Sequence, residues 1–234
     1  MRVVALWRYP VKSMQGEQLD VAEVGTAGII GDRQWAVVDN STGLALTGRR
    51  CPDLLFAAAR LTNDGVAIEL PSGEVAADDA ALSAWLSREV SLKAAGKSGT
   101  YEIASDFEDE AGSEWMQWSG PDWSFHDSGR IHVSILSTGS IGKWDTRRFR
   151  GNVIVEADDR AEDALVGSTV TAGTTRLDVS KQIDRCVMTT RPQPGGIDRD
   201  LDVLRTINAE RATFLGVGST VATPGTIRVG DVLT

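Results

Sequence analysis

Arg2-Val3-Val4-Ala5-Leu6-Trp7-Arg8-Tyr9-Pro10-Val11-Lys12-Ser13 opens the chain. Arg2–Trp7 is short and rich in Val, Ala and Leu, and it reads as a strand. Pro10 locks one backbone dihedral and stiffens the turn that follows. Lys12 and Ser13 therefore present an ammonium and a hydroxyl side by side at the end of a strand. The same unit, a short apolar stretch closed by Gly, Pro or Asp, recurs at Gln18–Val24, Gln34–Asp39 and Leu54–Leu61. Val66–Leu70 follows Asn63-Asp64-Gly65, a hairpin-type turn, and Pro71-Ser72-Gly73 closes it. Asp79–Val90 reads as a helix, with Ala81, Leu82, Trp85 and Leu86 at helical spacing and Asp78 or Asp79 as its cap.

Between about Gly96 and Gly129 the periodicity fails. The acidic run Asp106, Glu108, Asp109 and Glu110 is followed by Trp115, Trp118 and Trp123 among Gly, Ser and Pro, which reads as a junction with a solvated loop. Strand patterns resume at Ile131–Leu136, Asn152–Glu156, Arg176–Val179 and Arg185–Thr189. Ser137-Thr138-Gly139-Ser140 opens a short helix to about Trp144, and Leu201–Arg211 places Leu201, Leu204 and Ile207 on one helical face. Val217–Ala222 and Thr226–Val229, split by Pro224-Gly225, read as a final hairpin. Many short strands with few short helices predict a mixed α+β, mainly β fold of β-barrel type, not a parallel doubly wound sheet.

The chain has 234 residues, 41% of them hydrophobic and 24% charged, which excludes disorder, collagen and coiled coil. The net charge of −9 repels phosphate backbones and anionic bilayers, so no nucleic-acid and no membrane partner is expected. A bound phosphate must meet a local basic cluster that works against this field. Cys51 and Cys186 are too few for a disulfide scaffold. The opening apolar run is too short for a signal peptide, and no run reaches the roughly 18 residues of a membrane span. The expectation is a soluble, cytoplasmic chain, and a monomer fits this size.

Several chemistries are missing. There is no G-x-x-x-x-G-K-[ST] phosphate loop. Gly25, Gly28 and Gly31 have the wrong spacing for a dinucleotide fingerprint and read as turn glycines. Zinc-type and iron–sulfur cysteine spacings are absent, as is a G-x-S-x-G elbow. His126 and His132 read as structural.

Three basic spots stand at element ends instead: Lys12-Ser13, Gly31-Asp32-Arg33, and Arg147-Arg148-Phe149-Arg150-Gly151-Asn152. In an acidic chain they are candidates for an internal anion site, to which the helix opening at Ser137-Thr138 could add N–H donors. Cys186 follows Arg185, a neighbour able to stabilise a thiolate, although adjacent strand residues point to opposite faces.

These pieces together resemble the MOSC (molybdenum cofactor sulfurase C-terminal) family, in the two-part form that contains the mitochondrial amidoxime-reducing component and its bacterial relatives. The resemblance is carried by Leu6–Ser13 through Gly16-Glu17, Gly31-Asp32-Arg33-Gln34-Trp35, Phe149-Arg150-Gly151-Asn152-Val153, Arg185-Cys186 with Thr189-Thr190, and Pro224-Gly225 with Val229-Gly230-Asp231. Gly151 stands where the family usually has proline, and Thr190-Arg191-Pro192-Gln193-Pro194-Gly195 replaces a usually acidic turn. The resemblance implies an N-terminal β-barrel domain over residues 1–98 and a cofactor-binding MOSC domain over residues 99–234. It implies a molybdenum–molybdopterin cofactor, with Cys186 as catalytic residue and metal ligand. Lys12, Ser13, Arg33, Arg150 and Arg185 would hold the pterin and its phosphate, with Ser137, Thr138, Ser140 and Asn152 nearby. The implied activity is reduction of small N-hydroxylated or N-oxide-type compounds, with electrons from a separate redox protein. The alternative is a cofactor-binding or sulfur-carrier module without turnover of its own.

Overall fold

The computed structural model describes residues 1–96, 99–104, 114–121 and 123–234. The fold is mainly β. A seven-stranded sheet runs in the order Thr169–Ala172, Thr175–Asp184, Phe214–Thr223, Val133–Ser137, Val153–Glu156, Arg2–Arg8, Glu17–Leu19. Val133–Ser137 and Val153–Glu156 are parallel, and their neighbours are antiparallel. A parallel pair needs a crossover. Residues 138–152 supply it, with the short helix Thr138–Ile141 and the tight helical turn Thr146–Phe149.

Val21–Gly25 pairs with Gly225–Arg228 on one side and Gly28–Ile29 on the other, which curls the assembly into a half-barrel. Val3, Leu6, Val24, Ile135, Val153, Leu177, Val217 and Ile227 fill its interior. On the outer face Leu136, Ile154 and Leu215 pack with Phe149 and with Val203 and Ile207 of the helix Asp202–Arg211.

The rest forms smaller sheets. Trp35–Asp39 pairs with Val90–Ala94, Ala58–Thr62 with Gly65–Glu69, and Thr100–Ala104 with Trp115–Ser119. Their cores hold Val11, Met14, Val37, Leu54 and Leu82 in one cluster and Ala36, Val38, Ala45, Tyr101 and Phe125 in another. Residues 2–29 thus share strands and core with the second half of the chain, while Tyr101 and Phe125 pack with the first. The packing does not divide along the chain at residue 98.

Several elements differ from the sequence expectation. Leu54–Leu61 is a tight helical turn, Pro52–Phe56, and then a strand from Ala58. Pro52 opens the turn, and Leu54 N donates to the Cys51 carbonyl at 3.2 Å and Ala57 N to that of Leu54 at 3.4 Å, the three-residue spacing of a tight helical turn. The helix expected to Val90 ends at Leu86, where Ser87 turns left-handed, and Val90–Ala94 is a strand. Within 96–129, where the pattern fails, lie the paired strands Thr100–Ala104 and Trp115–Ser119. The acidic run at 106–110 lies outside the described residues. Arg185–Thr189 is no strand: Thr189 Oγ1 donates to the Cys186 carbonyl at 3.0 Å and Thr190 Oγ1 to that of Val187 at 2.8 Å, winding Val187–Thr190 into a helical turn. The final hairpin is also corrected. Phe214–Thr223 pairs with Thr175–Asp184 and Val133–Ser137, whereas Gly225–Arg228 pairs with Val21–Gly25.

Candidate functional site

The loops leaving these strands converge on Tyr9. Its backbone N–H donates to Asp32 Oδ1 at 2.7 Å, and its carbonyl accepts from Arg33 N at 2.7 Å. Arg33 and Arg150 both lie on the Tyr9 ring, their guanidinium carbons 5.0 and 4.4 Å from its centroid. Arg33 Nη2 donates to the Arg150 carbonyl at 3.0 Å, and Arg150 Nη1 donates to the Met14 carbonyl at 2.6 Å. Arg185 reaches in from the far side, donating to the carbonyls of Leu215 and Phe149, each at 2.8 Å. Gly216, at φ +82, leaves the room for it, since a Cβ there would stand 3.2 Å from Arg185 Nη2. That Nη2 is buried and has no partner.

The charge balance of this cluster is unusual. Arg33 pairs with the buried Asp32 carboxylate. Arg150 and Arg185 are held by backbone carbonyls instead, which orient a guanidinium without neutralising it. Burial, reinforced by the like charge of Arg33, pulls Arg150 down to about 10. Burial pulls Arg185 to about 10 as well. Burial pushes the Tyr9 phenol up to about 12 even with Arg150 and Arg33 beside it. The cluster is therefore short of negative charge, and an anion among these guanidiniums would relieve it.

Backbone strain marks the same place. Ser13, Arg33 and Arg150 sit at φ +68, +52 and +51. For residues with a Cβ this left-handed region costs about 1–2 kcal/mol each, and it persists where surrounding structure over-determines it. Ser13 Oγ accepts from Gly48 N at 2.8 Å. Lys12 is buried, with Nζ 2.9 Å from the Phe125 carbonyl, 2.6 Å from Asp127 Oδ1 and 3.8 Å from the Tyr101 ring centre. Burial lowers its pKa, and Asp127 opposes that shift.

Cys186 is a free, half-buried thiol at the start of the turn Val187–Thr190, directly after Arg185. The turn is fastened in place. Arg148 donates to the carbonyls of Thr189, Arg191 and Asp198 at 3.2, 3.4 and 2.7 Å. Gln15 Nε2 donates to Gln193 Oε1 at 2.7 Å. Met188 packs so closely on Gly48 that a Cβ there would stand 2.5 Å from its methyl.

Lys12, Ser13, Arg33, Arg150, Arg185 and Cys186 therefore gather around one centre. The other expected site residues are committed elsewhere. Ser137 Oγ caps the short helix, accepting from Ser140 N at 3.0 Å and donating to the Asp158 carbonyl at 3.0 Å. Thr138 Oγ1 donates to the Ala157 carbonyl at 3.3 Å. Ser140 Oγ accepts from Arg160 N at 3.0 Å and from Arg211 Nη2 at 3.2 Å. None of the three hydrogen-bonds to Arg33, Arg150 or Arg185. Asn152 is buried and straps strands together, donating to the Trp7 carbonyl at 3.2 Å and accepting from Ser134.

Sequence reading missed Asp32 with His126, whose Nε2 lies 3.3 Å from Asp32 Oδ2, and the Thr47–Arg50 loop that meets Ser13 and Met188. His126 comes 93 residues after Arg33 in the chain yet sits behind it because Phe125 N donates to the Arg33 carbonyl at 2.7 Å. The Gly48-Arg49-Arg50 run was the available signal for the loop.

A mainly β fold thus gathers arginines at its strand ends beside a free thiol, a chemistry that suits an anion and a soft ligand. The MOSC N-terminal beta barrel domain matches residues 1–117 and the MOSC domain matches residues 128–234. The chain belongs to the MOSC family, whose domains are associated with molybdenum-cofactor binding and sulfurase-like proteins. No curated protein matches the chain. Among solved structures, the crystal structure of APC1665, YUAD protein from Bacillus subtilis, is similar at 12% identity, covering 99% of this chain and 93% of that one with a TM-score of 0.47. A hypothetical protein of known structure is 10% identical over 58% of this chain and 66% of its own, with a TM-score of 0.35. Among the described residues no helix is long and apolar enough to cross a membrane.

Proposed function

We propose that the chain is a molybdenum-cofactor-dependent oxidoreductase that reduces N-hydroxylated or N-oxide-type compounds. One observation carries the reading: Arg150 and Arg185 are half-buried and oriented by carbonyls rather than neutralised by carboxylates, and Arg185 directly precedes a free thiol. A pterin phosphate supplies the missing negative charge, and the orphaned Arg185 Nη2 supplies a waiting donor. Lys12, Ser13, Arg33 and Arg150 would hold the pterin and phosphate, and Cys186 would be the protein's ligand to the metal, since a thiolate is the soft donor such a centre takes. When bound, the cofactor supplies two-electron oxygen-atom transfer. The protein's part is position and field. Strained backbone at Ser13, Arg33 and Arg150 presets the donors. The Arg148 bonds keep Cys186 at a fixed place beside Arg185. Two cysteines cannot bind a four-thiolate cluster, so electrons would come from a separate carrier protein.

The test is molybdenum per chain after expression in a host that makes the cofactor, for the parent and Cys186→Ala, followed by amidoxime turnover with a chemical reductant. Near-stoichiometric metal in the parent, lost or weakened in Cys186→Ala, together with turnover by the parent alone, is the expected result. Metal without turnover leaves a cofactor-binding module. A persulfide on Cys186 with no metal, while a known molybdenum enzyme loads in the same host, overturns the reading in favour of sulfur transfer.

A further inference from the structure

Next to Cys186, on the side where the turn meets the Thr47–Arg49 loop, a second cationic spot remains unused. Arg191 follows the turn directly, and its N–H donates to the Met188 carbonyl at 3.3 Å. Its Nη2 donates to the Arg49 carbonyl at 3.3 Å, 142 residues earlier in the chain. Its Nε is buried and has no partner. Among the described residues Arg191 has no carboxylate partner. In the loop that Arg191 reaches, two residues before Arg49, Thr47 is 8% exposed, and its Oγ1 also has no partner. Each buried donor left without an acceptor costs about 1–3 kcal/mol, more for a charged group. Two of them, one on Arg191 and one in the loop it hydrogen-bonds to, point to an absent acceptor.

The position is preset. Arg148 holds the Arg191 carbonyl, and Gln15 Nε2 holds the side chain of Gln193 two residues on. Met188 against Gly48, and Gly48 N on Ser13 Oγ, join this contact to the residues assigned to the cofactor. A planar guanidinium suits a carboxylate, and a hydroxyl on the loop that Arg191 reaches can add a further donor.

Resting on the function proposed above, we infer that Arg191 and Thr47 form a subsite that selects N-oxygenated substrates bearing a carboxylate. The source of the anion is the substrate, and the cofactor's own phosphate is the rival source.

The test uses cofactor-loaded protein without reductant and measures binding by calorimetry. The probes are benzamidoxime, its para-carboxylate analogue, and benzoate, which lacks the N-oxygen. The variants are Arg191→Gln and Thr47→Val, each with molybdenum content determined. The expected result is that the carboxylate analogue binds about tenfold or more tightly than benzamidoxime, an advantage that Arg191→Gln abolishes and Thr47→Val reduces. Benzamidoxime affinity and metal content should stay unchanged, and benzoate should compete with the analogue in the parent alone. Equal affinity of the two amidoximes, or the same loss for both in Arg191→Gln, overturns the inference. Loss of metal in Arg191→Gln also overturns it and assigns the spot to the cofactor. Failure of the parent reading shows separately, as no turnover of either amidoxime with a chemical reductant while benzoate still competes.

Discussion

Asp32 is a buried carboxylate that remains ionised. Burial pushes its pKa up, but Arg33, His126 and the Tyr9 N–H together outweigh this and hold it well below the usual carboxylate range. His126 moves down for the opposite reason: burial disfavours its charged form more than Asp32 favours it. Both shifts act in the same direction on stability. Below pH 6.5 the unfolded chain takes up a proton at His126 that the folded chain refuses, and below pH 3.8 the same holds at Asp32. Stability therefore falls as pH falls, by at most about 1.4 kcal/mol per pH unit for each proton. Denaturation midpoints measured from pH 8 to pH 4 should decline through the pH 6 region, and His126→Gln should flatten that part of the curve. An unchanged slope in the variant would show that His126 titrates alike in both states. From the sequence, Gly31-Asp32-Arg33 was legible as a charged spot at a strand end, but the burial of Asp32 and its His126 neighbour were not, since His126 reaches Asp32 only through the fold.

The turn Val187–Thr190 shows why an element can be misread. Arg185-Cys186-Val187-Met188-Thr189 has the β-branched content of a strand. Thr189 and Thr190 instead bond back to the carbonyls three residues earlier, and Arg148 takes up three more carbonyls of the segment 189–198. Local periodicity does not contain those partners. Arg148 is itself buried, so Arg148→Met leaves three carbonyls without a donor and should cost about 3 kcal/mol in chemical denaturation. Amide exchange over residues 186–198 should speed up selectively. Arg148→Lys restores too little of the fork to recover more than a part of the loss. If exchange in that segment is unchanged, the turn is held by packing and not by Arg148.

For the whole molecule, the decisive contact is between the chain's beginning and its second half. Arg2–Arg8 lies inside the large sheet beside Val153–Glu156, and Val21–Gly25 closes the curl against Gly225–Arg228. A fragment spanning residues 128–234 matches the MOSC domain but lacks Val3, Leu6, Ala22, Val24 and Ile29 from its core, and leaves Val153–Glu156 as an open edge. It should show no cooperative thermal transition and should aggregate, while the full chain unfolds as one unit. A sharp transition in the fragment would mean that the first 29 residues are an addition to the half-barrel and not a part of it.

The sequence alone determined the class of the fold and the basic residues at strand ends, because strand patterning, turn chemistry and residue type are local properties. It also placed Lys12, Ser13, Arg33, Arg150, Arg185 and Cys186 in one list through the family motifs. Only the tertiary structure decided which of the listed residues share a centre. Ser137, Thr138, Ser140 and Asn152 have their polar atoms engaged by backbone and neighbouring side chains, and that engagement depends on strand order. It also decided the unneutralised charge of Arg150, Arg185 and Arg191. A sequence lists charges, but whether a carbonyl or a carboxylate meets each one is settled when distant segments pack.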